Sequence, residues 1–220
     1  MTFDPADLSE LQRDALIEIF NIGVGQAASS MSQIVGEAIE VTIPAVEILH
    51  GDNRTDAISK LALSPRICAV SQEFAGSLDA RAFLIFPEGK TRVIVRRMVG
   101  DSVSIDELTE MEQEALCEIG NIILNSCMSS LSEAFQTSFR CSLPAYHLGT
   151  ADEVMSTNGV LDKDLLMLCH IIFSMPKAQI DSYLIFLLTL PSFKALISHI
   201  DQFLSGIQRG ASLTAAHSMT

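Results

Sequence analysis

The chain has 220 residues, 48% of them apolar, and carries 27 acidic against 14 basic side chains for a net charge of −13. That length holds one large domain or two small halves packed together, with enough apolar material for a sizeable core. The acidic balance, without any basic run, excludes general attraction to nucleic acid or to an anionic membrane, so a phosphate-bearing partner has to be met locally with its charge already offset.

The opening "MTFDPADLSE" is acidic and lacks the apolar core of a signal peptide. Asp4 as N-cap and Pro5 at the first helical position predict the start of a helix of about 25 residues. On a helical wheel Leu8, Leu11, Ala15, Ile19 and Ile22 form an apolar stripe flanked by Leu16. Asp14, Glu18 and Asn21 fall within about 60° of one another, away from that stripe. Gly23, Gly25, Ala27 and Ala28 let the second half approach a neighbour closely. The same stretch, "GVGQAA", fits G-x-G-x-x-A with Glu47 downstream, as in a dinucleotide-binding unit. Its helical context argues against that reading.

Three strands follow. "IEVTIPAVEIL" is β-branched, and Pro44 predicts an edge or a bulge. "ICAVSQEFAG" and "LDARAFLIF" form a hairpin around Gly76 and Ser77. "KTRVIVRRMVG" reads as a sheet-covering helix with a cationic last turn. The series then begins again. "SIDE", Ser104 to Glu107, is a capping box opening a second long helix with Glu114, Glu118, Asn121 and Asn125 on one wedge. "CSLPAYHLG", "LMLCHIIFSM" and "DSYLIFLLTL" supply strands, and "PSFKALISHIDQFL" supplies a closing helix. Residues 206–220 read as a flexible tail.

This is a duplication. "LSELQRDALIEIFNIGVGQAASSMSQ" from Leu8 aligns without a gap to "LTEMEQEALCEIGNIILNSCMSSLSE" from Leu108, an offset of 100 that also matches Pro44 to Pro144. Two repeats, about 4–100 and 104–205, predict a single α+β domain over residues 1–205 with pseudo-two-fold symmetry. It should have about six mostly antiparallel strands with two long helices packed on the sheet.

The five cysteines are odd in number, lie in apolar runs and include no C-x-x-C, so they read as reduced core residues of a cytoplasmic protein. No H-E-x-x-H or other metal-ligand spacing occurs, so no metal site of its own is expected. The most apolar stretch is broken by Pro191 and too short to span a bilayer.

Acidic faces on exposed helices are ordinarily just solvated. Here Asn is an odd choice, because its amide competes for backbone hydrogen bonds, and the Glu/Asn pair recurs in both copies. A carboxamide donates and accepts at once, so it can hold a water in one orientation; a carboxylate can pair with a docking cation. Such a face suits completing an active site on a partner.

The pattern Asp14-x3-Glu18-x2-Asn21-x22-Pro44, repeated as Glu114-x3-Glu118-x2-Asn121-x22-Pro144, resembles the signature of the CheC/CheX/FliY family of chemotaxis phosphatases, with CheC-like members nearest. Glu114 departs from it, standing where the family has Asp or Ser. The resemblance implies a hydrolase that removes the aspartyl phosphate of a CheY-type response regulator in two-component signalling. Asn21 and Asn121 would each orient the attacking water. Glu18 and Glu118 would pair with the regulator's lysine, with Asp14 and Glu114 in support. The protein would have no cofactor of its own, and Mg2+ would come from the regulator. Phe20 stands where the second copy has Gly120, which puts a bulky ring beside the first site. The alternative is a non-catalytic adaptor that binds a regulator or a CheD-type deamidase. The long strand "YLIFLLTL" offers an edge through which a homodimer could form.

Overall fold

A computed structural model describes residues 8–49, 64–99, 105–157, 165–176 and 178–217. In chain order the elements are α1 (Glu10–Val35), β1 (Glu40–Leu49), β2 (Ile67–Gly76), β3 (Ala80–Pro87) and α2 (Glu88–Val99). The second repeat supplies α3 (Ile105–Phe135), β4 (Phe139–Cys141), β5 (Ala145–Gly149), α4 (Ala151–Thr157), β6 (Leu165–Met175), β7 (Ala178–Leu188) and α5 (Leu190–His217).

Helix α1 starts later than the Asp4–Pro5 signal predicts, and those two residues lie outside the described ones. Ser9 is its N-cap, in a capping box: its hydroxyl accepts from the Gln12 N–H, and the Gln12 side chain accepts from the Ser9 N–H. Gly36 ends the helix with φ 73°, donating its N–H to the Ser32 carbonyl. In the second repeat α3 is described from Ile105 onward, and the predicted cap Ser104 lies outside the described residues.

Among the described residues seven strands form one sheet in the order β1-β6-β7-β3-β2-β4, with β5 also on β2, and all their pairings are antiparallel. The expected count of six is exceeded because the first strand of the second repeat breaks in two. Its pieces, β4 and β5, pair with successive parts of β2. At the centre Leu84 of β3 faces Leu184 of β7, residues one repeat apart, so the pseudo-two-fold axis passes between them. Each repeat lends its edge strand to the other: β1 pairs with β6, while β4 and β5 pair with β2. Pro44 sits on an edge strand and beside a bulge, because the β1–β6 register shifts between Thr42 and Ala45.

The main core lies between one face of the sheet and the helices α1, α3 and α5. A smaller core on the other face gathers Ile67, Phe83, Ile85 and Leu166 under Val154 and Met155 of α4, a helix that the sequence reading did not anticipate. Small residues set the spacing, as expected. A Cβ on Gly23 would meet the Ser126 carbonyl at 2.8 Å, and one on Gly120 would meet Val70 at 2.5 Å. Helices α1 and α3 therefore cross closely, and α3 lies directly on β2. "GVGQAA" is thus a helix–helix contact inside α1 and not a nucleotide loop.

Three expectations change. Leu11 and Ile22 are 55% and 50% exposed instead of buried. The buried face of α1 is centred on Leu16, Ile19, Phe20, Gly23 and Val24, and Leu11 and Ile22 lie within about 40° of Glu18 on the outer face. The chain after residue 205 does not fray at once but continues α5 to His217. Of the cysteines, Cys68, Cys127 and Cys169 are buried, whereas Cys117 is half-buried and Cys141 exposed on an edge strand; all five are free thiols. No helix among the described residues is long and apolar enough to cross a membrane.

Candidate functional site

In both repeats the polar wedge faces outward on its helix. Asp14 and Glu18 are exposed on α1, as are Glu114 and Glu118 on α3; Asn21 and Asn121 are half-buried where each helix meets the sheet. Exposed apolar residues flank each glutamate: Leu11 and Ile22 on α1, Met111 on α3, with Ile122 half-buried. The repeated face is thus acidic with apolar shoulders, a composition suited to a protein partner.

The two asparagines, however, are held differently. Asn21 Nδ2 donates to the Ile43 carbonyl (2.9 Å), and Asn21 Oδ1 accepts from the Ile43 N–H (2.8 Å). Ile43 precedes Pro44 at the bulge, where the ladder is interrupted and Pro44 has no N–H to offer. The carboxamide supplies what the sheet does not, and Ile43 is driven fully inside, with 0% exposure. Both ends of the Asn21 amide are therefore in use.

Asn121 does not repeat this. Its Oδ1 accepts from Gln72 Nε2 (3.2 Å) and from Asn125 Nδ2 (2.8 Å). No described residue takes up its Nδ2. The loop opposite is held by other bonds: Gln72 Nε2 donates to the Ser142 carbonyl (3.0 Å), and Ser142 Oγ accepts from the Glu73 N–H (3.0 Å) and donates to the Leu143 carbonyl (2.9 Å). The strand opens there, and Leu143, the counterpart of Ile43, is 89% exposed.

The cause of the asymmetry lies in the sheet and in the helix. Ala145 pairs with Ser71 and Ala45 with His170, so the counterpart of Gln72 is Ile171, which is buried and has no polar side chain. The counterpart of Asn125 is Gly25. The first repeat thus lacks both donors. Phe20 is not a ring beside the first site: it is buried and stacked on Phe186 with centroids 5.4 Å apart. Gly120 in its place lets α3 settle on β2, within reach of Gln72.

Sequence reasoning missed Gln72. Its only signal was a long polar side chain inside an apolar strand. It likewise missed a Ser71–His147 hydrogen bond (2.8 Å) on the opposite face of β2. Burial lowers the His147 pKa. Among the described residues no carboxylate is hydrogen-bonded to that imidazole. The basic helix α2 is tied to α3, with Arg92 3.8 Å from Glu112 and Thr91 bonded to the same carboxylate.

Two family models match successive stretches of the chain. The CheC-like family matches residues 11–48, which hold Asp14, Glu18, Asn21 and Pro44; the family described as chemotaxis phosphatase CheX matches residues 68–160, which hold Glu114, Glu118, Asn121 and Pro144. The chain is 28% identical over 152 residues to the CheY-P phosphatase CheC of Bacillus subtilis, covering 68% of this chain and 72% of that protein. It is 27% identical over 197 residues to the flagellar motor switch phosphatase FliY of the same organism, covering 88% of this chain and half of the length of FliY. The crystal structure of Thermotoga maritima FliY superposes with a TM-score of 0.71 at 24% identity, covering 89% of this chain and 98% of that one, and so shares the fold. Family models thus match both motif-bearing segments, and the chain is similar to the CheC/CheX/FliY family of chemotaxis phosphatases.

Proposed function

We propose that this chain hydrolyses the aspartyl phosphate of a CheY-type response regulator and that the second repeat is the working site. The observation that carries this reading is Asn121: its Oδ1 is anchored, while its Nδ2 has no described partner and sits one turn from the exposed Glu118. The relative named as a CheY-P phosphatase supports the substrate class.

In the docked complex Glu118 pairs with the regulator's active-site lysine and sets the orientation of the two proteins. Asn121 Nδ2 donates to the oxygen of a water and holds it in line with the phosphorus–carboxylate bond. The water oxygen attacks phosphorus, the bond to the aspartyl oxygen breaks, and the water's proton leaves with the inorganic phosphate. The contribution of Asn121 is positional: a water already aligned avoids much of the entropic cost of finding the attack geometry. Mg2+ on the regulator's side, with its lysine, offsets the phosphate charge and lets an acidic helix approach. Glu114 and the apolar shoulders support docking.

A second reading applies to the first repeat. Because Asn21 Nδ2 and Oδ1 are both bonded to Ile43, the amide is fixed against the strand, and Glu18 and Asp14 there form a docking face. The test is the lifetime of the acyl phosphate on purified CheY-type regulators with wild type and Asn121→Ala. Loss of stimulated release on the order of 10²–10³-fold is expected. Unchanged release by the variant would sink the assignment.

A further inference from the structure

We infer that Gln72 and Asn125 are positioning residues that make the second repeat competent by fixing the orientation of the Asn121 carboxamide. The inference rests on the phosphatase reading for its kinetic consequence, but its structural content is independent of that reading.

A carboxamide has two faces of opposite hydrogen-bonding sense, and only the one that donates outward can grip a water through its oxygen. Left alone on α3, Asn121 could turn to the strand backbone at Leu143, as Asn21 turns to Ile43. Two N–H donors prevent this by holding Oδ1: Gln72 Nε2 from the sheet side at 3.2 Å and Asn125 Nδ2 from the next helical turn at 2.8 Å. With the oxygen held, Nδ2 must point away from both donors.

Gln72 is suited to this in a way a surface residue is not. It is 1% exposed, on a strand face whose other side chains, Cys68, Val70 and Phe74, are apolar and buried in the main core. Its Nε2 is shared between Asn121 and the Ser142 carbonyl, while its Oε1 is buried without a partner. A buried amide with one unsatisfied end costs stability, so packing gives no reason for a glutamine here. Its counterpart Ile171 serves the same core position without a polar group. The first repeat lacks both donors, and it is the repeat in which the asparagine is bonded to its own strand.

The test uses the full chain with Asn125→Ala and Gln72→Met. Asn125 is half-buried on a helix that alanine favours, so that variant keeps the question open should the buried one not fold. Side-chain amide exchange by NMR requires no substrate. Wild-type Asn121 should exchange fast and Asn21 slowly; in the variants Asn121 should slow towards Asn21 as it turns to the strand. Kinetically, each variant should lower the rate at saturating phosphorylated regulator by roughly tenfold, and the double variant by about 100-fold, with KM within about twofold of wild type. An Asn121 amide whose exchange and shift are unaltered in the variants would overturn the inference, as would a defect confined to KM. A wild type that exchanges as expected yet releases no phosphate would instead sink the phosphatase reading and leave the positioning intact.

Discussion

Ile43 and Leu143 occupy the same place in the two repeats, yet Ile43 has no exposed surface and Leu143 is 89% exposed. The difference follows from the asparagine opposite each. Asn21 draws the backbone of Ile43 inward, whereas Asn121 is held by Gln72 and Asn125, and the strand opens at Leu143. Ile43→Ala should therefore cost roughly 2–5 kcal/mol. Leu143→Ala should stay within about 0.5 kcal/mol of wild type. Urea unfolding curves of the two variants check this, and equal losses would contradict the asymmetry.

Asn21→Ala is expected to act on stability rather than on turnover. It strands the N–H and carbonyl of Ile43 at a half-buried bulge, at a cost of about 1–3 kcal/mol. At a temperature where the variant is folded, acyl-phosphate release should remain within about twofold of wild type, since Asn121 is untouched. A catalytic loss as large as that of Asn121→Ala would show that the first repeat also turns over.

Glu118→Lys should separate docking from chemistry. A like charge facing the regulator's lysine should raise KM by roughly tenfold and leave the saturated rate nearly unchanged. The wild-type KM should also rise with ionic strength, and the variant's should not. A fall in the saturated rate with constant KM would place Glu118 in the chemical step instead.

Two glycines two residues apart on α1, and so on opposite sides of it, should respond in opposite directions. A methyl at Gly23 would run into the Ser126 carbonyl and the Cys127 backbone of α3, so Gly23→Ala should destabilise the packing of the two long helices. Gly25 has open space, and Gly25→Ala should stabilise the chain by about 0.5–1 kcal/mol through helix propensity alone. Thermal unfolding of both variants decides it.

The thiols should label in the order of their burial. Cys141 is exposed on β4 and should react with a thiol reagent at once. Burial pushes the Cys127 thiol up to about 12 and that of Cys169 well above its ordinary value, so both should react only on unfolding. Mass spectrometry of partially labelled protein distinguishes them.

The duplicated layout, the hairpin of β2 and β3, the edge position of Pro44 and the outward wedge carrying Glu18 and Glu118 were all legible in the chain itself. Each depends on periodicity, turn chemistry or an offset repeated between two copies, and these are local properties. What the sequence did not reveal was that two matching motifs would be wired differently. That outcome depends on Gln72, 49 residues from Asn121, and on Ile171 standing opposite Asn21 in its place. It also depends on which helix can settle on its strand, with Gly120 lying against Val70 while Phe20 fills the core beside Phe186. A side-chain amide takes the best partners within about 3 Å. Those partners are brought there only when the strands of one repeat are laid against the other.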